Sequence, residues 1–97
     1  MRENFVNIAQ FDKKNAMEKL AIELPILRAK LGFSQAELAE LIGVSRQTYS
    51  MIENRKKEMG WSIYMSLILI FSFNPRTSLL LDFCDVFPEK LQLVLRK

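Results

Sequence analysis

The chain contains no histidine and a single cysteine, Cys84, among its 97 residues. The absence of histidine removes the commonest general base and the commonest zinc ligand. One cysteine can form neither an internal disulfide nor a structural zinc site. Serines and carboxylates are present, but no base, metal cluster or glycine-rich phosphate loop organises them. We therefore expect no enzyme, no metal and no cofactor.

Long hydrophobic runs are also missing. The most apolar stretch, residues 61–73 (WSIYMSLILIFSF), carries no charge. It is much shorter than the roughly 20 residues that a membrane span needs, so it predicts a fully buried core helix. The first residues, MRENFV, show no apolar core of signal-peptide length. These observations favour a cytoplasmic protein with no membrane partner.

Positive charge is only slightly in excess, with 14 Lys and Arg against 11 Asp and Glu and a formal net charge of +3. This balance permits a polyanionic partner but does not identify one, so the positions of the charges matter more than their sum. Three prolines, three glycines and the absence of repeats or low-complexity segments fit one domain with short extensions.

Apolar residues recur every three or four positions, which predicts an all-helical chain. The first helix is expected to begin at Asn15 as N-cap and to continue to Gly32. Because proline donates no N–H, the helix should either kink at Pro25 or restart there, and we favour the restart. Residues 1–14 would then form an N-terminal arm, either loose or packed. The residues that could pack the arm are Phe5, Ile8 and Phe11.

Helix-end signals divide the rest of the chain. Ser34-Gln35-Ala36-Glu37 reads as a capping box that opens a second helix, and Gly43 as its left-handed end. Ser45 would cap a third helix, residues 61–73 form a fourth, and Asn74-Pro75 opens a fifth. Pro88 could open a last amphipathic segment. Its apolar residues are Leu91, Val94 and Leu95.

Two short helices joined by a tight turn containing glycine are the signature of a helix-turn-helix. Ala39 is small where the two helices must approach each other closely. The positions expected to face inward are Leu38, Leu41, Ile42, Val44, Tyr49 and Ile52.

The third helix has two different faces at about 100° per residue. One face is expected to be buried and holds Tyr49, Ile52 and Glu53, with Thr48 at its edge. The outward face holds Arg46, Gln47, Ser50, Met51 and Asn54. Arginine can bind guanine and glutamine can bind adenine through paired hydrogen bonds, and Met51 suits a thymine methyl group. The basic run Arg55-Lys56-Lys57 at the helix end suits phosphates.

The segment SQAELAELIGVSRQTYSMIEN resembles the core motif of the Cro/repressor-type helix-turn-helix family, also called the Xre family. The resemblance extends back to Leu27-Arg28 and forward through Trp61 and the fourth helix, over roughly two thirds of the chain. It implies a lambda-repressor-like five-helix domain at residues 15–83, with the helix-turn-helix core at 35–54. Residues 1–14 and 84–97 would be short N-terminal and C-terminal helical extensions.

The resemblance also implies roles for individual residues. Gln35 would touch a phosphate and brace the third helix, and Arg28 would form a buried ion pair with Glu53. The expected DNA-binding residues are Gln35, Ser45, Arg46, Gln47, Thr48, Ser50, Met51, Asn54, Arg55, Lys56 and Lys57. Two positions depart from the family pattern. Tyr49 stands where isoleucine or valine is usual, so the core is roomier there or the hydroxyl finds a polar partner. Arg55 stands where glycine is frequent.

We expect a transcriptional regulator that binds an inverted repeat of double-stranded DNA as a homodimer, because one recognition helix reads few bases. The C-terminal apolar helices would supply the dimer interface, since a helix that is apolar on all sides must be covered on all sides. Repression by occupying a promoter is the simplest mechanism. The alternative is a protein-interaction module, such as an antitoxin-like partner, with little or incidental DNA binding.

Overall fold

The computed structural model describes the backbone of residues 2–96 and the side chains of residues 13–89, 91–93 and 95–96. Its elements, in chain order, are α1 (Arg2–Leu31), α2 (Gln35–Ile42), α3 (Arg46–Glu53), α4 (Trp61–Phe73), α5 (Pro75–Phe83) and α6 (Glu89–Leu95). Residues 2–96 contain no strand. The prediction of an all-α chain is confirmed.

The first helix is longer than the sequence predicted. It runs without a break from Arg2 to Leu31, so the predicted start at Asn15 and the predicted restart at Pro25 are both wrong. An interior proline costs a helix about 3 kcal/mol, but here buried leucines on both sides of it hold α1 against the core. Leu20, Leu24 and Leu27 are at most 1% exposed. The side chains of Phe5, Ile8 and Phe11 lie outside the described residues.

Four of the predicted helix ends are confirmed. Ser34 and Glu37 form the capping box, with the amide of each residue donating to the other's side chain. Gly43 ends α2 in the left-handed conformation at φ 80°. Ser45 caps α3, and Asn74 caps α5 by accepting a hydrogen bond from the amide of Arg76 at 2.9 Å.

One hydrophobic core joins all the helices. Its largest fully buried members are Tyr49, Tyr64, Phe71, Leu20, Leu24, Leu27, Leu38, Ile52, Leu67, Leu81 and Val86. Tyr64 satisfies its buried hydroxyl by donating to the carbonyl oxygen of Val86 at 2.7 Å, which ties α4 to the segment before α6. Trp61, at the start of α4, is half-buried and stacks on Tyr64, and the ammonium group of Lys13 lies 4.8 Å from its ring centroid.

Some residues expected inside are at the surface. Leu41 is 59% exposed, because the inward face of α2 is occupied by Leu38 and Ala39. The fourth helix is not fully buried, since Leu69 and Phe73 are 56% and 82% exposed. Neighbouring helices leave one strip of α4 uncovered, which contains Leu69 and Phe73. In α6, Leu91 is buried and Leu95 exposed, whereas the side chain of Val94 lies outside the described residues.

Helices α4 and α5 meet at a sharp bend of 119° at Asn74. Within the described part of the chain, no single helix has the length and hydropathy of a membrane span. Only this bent pair, taken together, reaches that combination. The bend follows from the proline at the first position of α5, because the residue before a proline is driven out of the helical region. Asn74 has the extended conformation, with ψ 125°.

Candidate nucleic-acid interface

The turn between α2 and α3 is closed by two backbone hydrogen bonds. The amide of Gly43 donates to the carbonyl of Glu40 at 3.2 Å, and the amide of Val44 donates to that of Ala39 at 3.0 Å. This pattern ends a helix by capping its last carbonyls, and it needs a residue with positive φ, which glycine supplies without strain. With Val44 alone between Gly43 and the cap Ser45, α3 is forced to cross α2 at close range.

The first turn of α3 is held by Ser45. Its hydroxyl oxygen accepts a hydrogen bond from the amide of Thr48 at 3.0 Å, and the same hydroxyl lies 3.0 Å from the Thr48 hydroxyl. Both of these predicted DNA-binding residues therefore have a structural partner within the protein. Their contacts fix the direction in which the next two side chains, Arg46 and Gln47, leave the helix.

The two faces of α3 are divided as the sequence indicated. Tyr49 and Ile52 are fully buried. On the opposite side, the structure brings four of the predicted site residues together as exposed side chains and leaves Ser50 half-buried beside them. The exposed four are Arg46, Gln47, Met51 and Asn54. We call this set, with Ser50, the outward stripe of α3.

A part-buried ion pair joins the first and third helices. The Arg28 guanidinium donates to both carboxylate oxygens of Glu53, with Nε–Oε2 and Nη2–Oε1 distances of 3.0 Å each. Its remaining Nη1 donates to the carbonyl of Phe33, also at 3.0 Å. The Glu53 side chain is only 6% exposed. The pair therefore clamps α3 to the end of α1 with fixed geometry, as paired arginine–carboxylate contacts do.

Two further donors complete the environment of Glu53. The amide Nε2 of Gln35 donates to Oε1 at 3.0 Å, and the hydroxyl of Tyr49 donates to Oε2 at 2.7 Å. The carboxylate therefore accepts four hydrogen bonds, two at each oxygen. We call these four residues, Arg28, Gln35, Tyr49 and Glu53, the carboxylate network. Of the two alternatives for Tyr49, the structure shows the second, because the hydroxyl finds a polar partner in Glu53, one helical turn away.

The network sets the protonation of its members. Burial alone would raise the pKa of Glu53, but the hydrogen bonds from its three donors outweigh burial and lower that pKa below its usual range. The hydrogen bond to Glu53 raises the pKa of Arg28. Burial, followed by the hydrogen bond to Glu53, raises the pKa of Tyr49 well above its ordinary value. Glu53 is thus ionised and Tyr49 neutral across the physiological range.

The loop after α3 folds back on the end of that helix. The amide of Arg55 donates to the carbonyl of Ile52 at 3.0 Å, and the amide of Lys56 donates to that of Met51 at 2.8 Å. This repeats the geometry of the α2 end, and Arg55 accordingly has a left-handed φ of 59°. At the position where the family often has glycine, Arg55 therefore adopts the left-handed backbone conformation that favours glycine. Arg55, Lys56 and Lys57 are all exposed.

The sequence could not show what holds Gln35. The resemblance implied a phosphate contact and a bracing role for Gln35, and the structure provides the brace through Glu53. Two features of the sequence pointed to Tyr49 as a member of the same network. A tyrosine stands where the family usually has an aliphatic residue, and a glutamate lies four residues later on the same helix face.

Residues 26–61 match a family model described as helix-turn-helix. No curated protein and no solved structure matches the chain. The matched range begins at the end of α1, spans α2 and α3, and ends at the first residue of α4, so it contains the whole outward stripe and the carboxylate network. Residues 26–61 therefore carry a helix-turn-helix, similar to that of the Cro/repressor-type or Xre family of DNA-binding proteins.

Proposed function

We propose that the chain is a sequence-specific transcriptional regulator that binds double-stranded DNA as a dimer and represses by occupying a promoter. The observation that carries this proposal is the outward stripe of α3. An arginine and a glutamine occupy the first turn of a capped, clamped helix, where both side chains are exposed. The N-terminal residues of a recognition helix are the ones that reach base edges in the major groove.

Base readout is assigned to three residues of the stripe. Arg46 would bind guanine and Gln47 adenine, each through two hydrogen bonds, and Met51 would contact a thymine methyl group. Met51 is 36% exposed and lies about one turn beyond Gln47, and it is proposed to contact the next base pairs along the groove. Ser50 and Asn54 lie beside it and are proposed to contact the sugar-phosphate backbone.

Phosphate contacts are assigned to the ends of the two helices. One amide proton of Gln35 is donated to Glu53, and its second amide proton is proposed to bind a phosphate at the start of α2. The exposed cations Arg55, Lys56 and Lys57 are proposed to bind the backbone on the other side of the groove. These contacts set the register of α3 and supply most of the salt-dependent affinity.

A dimer is supported by the surface of the C-terminal helices. Leu69 and Phe73 on α4 and Leu79 and Phe83 on α5 are 56%, 82%, 79% and 87% exposed. We call these four residues the apolar face. Burying one such side chain gains about 1.5–3 kcal/mol. A twofold contact that covers these side chains would therefore stabilise a dimer. The operator would then be an inverted repeat with half-site centres roughly 34 Å apart.

Sedimentation velocity tests the dimer. We expect the wild type to sediment as a dimer at micromolar concentration and Phe83→Glu to sediment as a monomer. Leu41→Glu is the control, because Leu41 is also an exposed apolar residue, at 59%, but lies on α2, outside the apolar face. A monomeric wild type would exclude this interface, and the exposed face would then favour the alternative, an antitoxin-like module that binds a different protein.

Nuclease footprinting on genomic DNA fragments tests sequence-specific binding. Protection of discrete sites, each covering two major grooves one turn apart, supports the proposal. Uniform weak protection of every fragment contradicts sequence specificity, because contacts to phosphates alone do not depend on the base sequence.

A further inference from the structure

A cavity of about 410 Å³ lies between α1 and the loop that follows α3. One wall is a face of α1 and the other is the segment between α3 and α4. The apolar part of its lining, which we call the floor, consists of Met17, Ala21, Ile22 and Met59. This volume falls within the range of small-molecule sites, which run from about 300 to 1,000 Å³.

The rim of the cavity carries an excess of positive charge. Three cations, Lys14, Arg55 and Lys57, and two carboxylates, Glu18 and Glu58, line it. None of these five groups takes part in either of the two ion pairs found among the described side chains, Lys19–Asp85 and Arg28–Glu53. Among the described side chains, the three cations therefore have no carboxylate within ion-pair distance, and the lining carries one net positive charge beside the apolar floor.

We infer that this cavity is a binding site for a small amphipathic carboxylate, whose apolar part would occupy the floor and whose anionic group would bind the cationic rim. Charge complementarity selects the sign of the ligand, because three cations outnumber two carboxylates. The apolar floor selects a hydrocarbon tail over a free inorganic anion. Arg55 and Lys57 provide the head-group contacts from the loop, and Lys14 provides one from α1.

Such a ligand would act on DNA binding, and this consequence rests on the proposed function. Arg55 and Lys57 line the cavity and are also proposed to bind phosphates, so the ligand and the DNA backbone compete for the same two cations. Lys56 lies between them in sequence but does not line the cavity. Occupation of the cavity would therefore weaken DNA binding through two of the three loop cations, as an inducer does.

Octanoate is the probe for the site, measured on the full chain without DNA. In ¹H–¹⁵N correlation spectra, we expect titration with octanoate to shift the amides of residues 17–22 and 55–59. Octylamine has the same hydrocarbon chain with the opposite charge and should bind much more weakly. Equal binding of the two compounds, or shifts confined to α4 and α5, would overturn the inference.

Two isoleucines on α1 give a matched pair of variants. Ile22 lines the cavity and is 53% exposed, whereas Ile26 is 56% exposed and does not line it. Ile22→Ala should weaken octanoate binding about fivefold or more, and Ile26→Ala should leave it unchanged. Equal effects of the two substitutions would contradict the assignment of the floor. Unchanged melting temperatures show that both variants are folded.

A DNA titration in the presence of octanoate separates the site from its proposed consequence. We expect octanoate to weaken DNA binding of the wild type, and about fivefold more octanoate should be needed for the same effect on Ile22→Ala. If octanoate binds the cavity and DNA affinity does not change, the competition is refuted while the site stands. If octanoate does not bind at all, the site is refuted, whatever the outcome for DNA.

Discussion

The hydroxyl of Tyr49 donates to the carboxylate of Glu53 at 2.7 Å, and both residues belong to α3. The bond lies on the face of α3 opposite to the outward stripe. Because Glu53 also accepts hydrogen bonds from Arg28 on α1 and Gln35 on α2, one carboxylate fixes three helices relative to each other. The orientation of α3 therefore depends on one buried charge and its four hydrogen bonds.

Tyr49→Phe tests the contribution of the hydroxyl. The substitution keeps the ring in the core and removes one donor to an ionised acceptor, so we expect a loss of about 1.5–3 kcal/mol in the free energy of unfolding. Urea denaturation measures it. Tyr64→Phe is the matched control, because that hydroxyl donates to the neutral carbonyl of Val86 and should cost less, about 0.5–1.5 kcal/mol. A Tyr49→Phe protein as stable as the wild type would show that the bond is unimportant.

Glu53→Ala tests the ion pair. Removing one partner leaves the Arg28 guanidinium partly buried without its carboxylate, and we expect a loss of about 3–5 kcal/mol. DNA binding should weaken mainly because the protein unfolds. The melting temperature measures the effect, with Glu40→Ala, at an exposed carboxylate on α2, as the control. An unchanged melting temperature in Glu53→Ala would contradict a stabilising role for the pair.

The lowered pKa of Glu53 predicts how stability depends on pH. The folded state holds this carboxylate ionised at a pH where the unfolded chain, with a glutamate pKa of about 4.3, already binds the proton. Its contribution is therefore fully present above about pH 4.3 and is lost as the pH falls through the folded-state pKa. Urea midpoints measured from pH 7 down to pH 3 should fall more steeply for the wild type than for Glu53→Gln. Parallel curves would assign the acid sensitivity to other carboxylates.

Arg46→Ala and Lys56→Ala separate base contacts from phosphate contacts. Loss of Arg46 should cost about 1–3 kcal/mol in binding and relax selectivity at one base pair in each half-site. Loss of Lys56 should weaken all sequences alike and reduce the slope of log affinity against log salt by about one unit. Fluorescence anisotropy on matched and mismatched duplexes measures both. Identical behaviour of the two variants would mean that the outward stripe does not face the bases.

Arg55 combines a strained backbone with a cation. A left-handed conformation costs a non-glycine residue about 1–2 kcal/mol, and Arg55 has φ 59°. Arg55→Gly and Arg55→Ala both remove the charge, but only glycine relieves the strain. We therefore expect Arg55→Gly to be more stable than Arg55→Ala by about 1 kcal/mol. Both should bind DNA more weakly than the wild type, and equal stabilities would contradict the strain.

Local signals predicted the helix-turn-helix well. The capping box at Ser34, the left-handed Gly43 and the cap at Ser45 are each determined by hydrogen bonds within a few residues. Such local contacts can be recognised from the residue types at neighbouring positions. The division of α3 into a buried and an exposed face follows in the same way from helical periodicity.

Features that depend on tertiary contacts could be predicted less well from the sequence. The local preference of Pro25 for a helix start gave way to the burial of Leu24 and Leu27 on either side of it. The exposure of Leu41 and Phe73 could not be foreseen, because periodicity does not show which side of an apolar helix the neighbours cover. The link from Gln35 to Glu53 joins residues 18 positions apart and has no local signature.

Selection of bound duplexes from a random DNA library, carried out in parallel with the wild type and Arg46→Ala at near-physiological salt, tests the central claim most directly. The wild type should enrich an inverted repeat whose half-site centres lie about one helical turn apart. Arg46→Ala should lose its preference at one base pair in each half-site. The absence of any enriched sequence, with both proteins folded, would contradict the claim and make the outward stripe of α3 a surface for a protein partner.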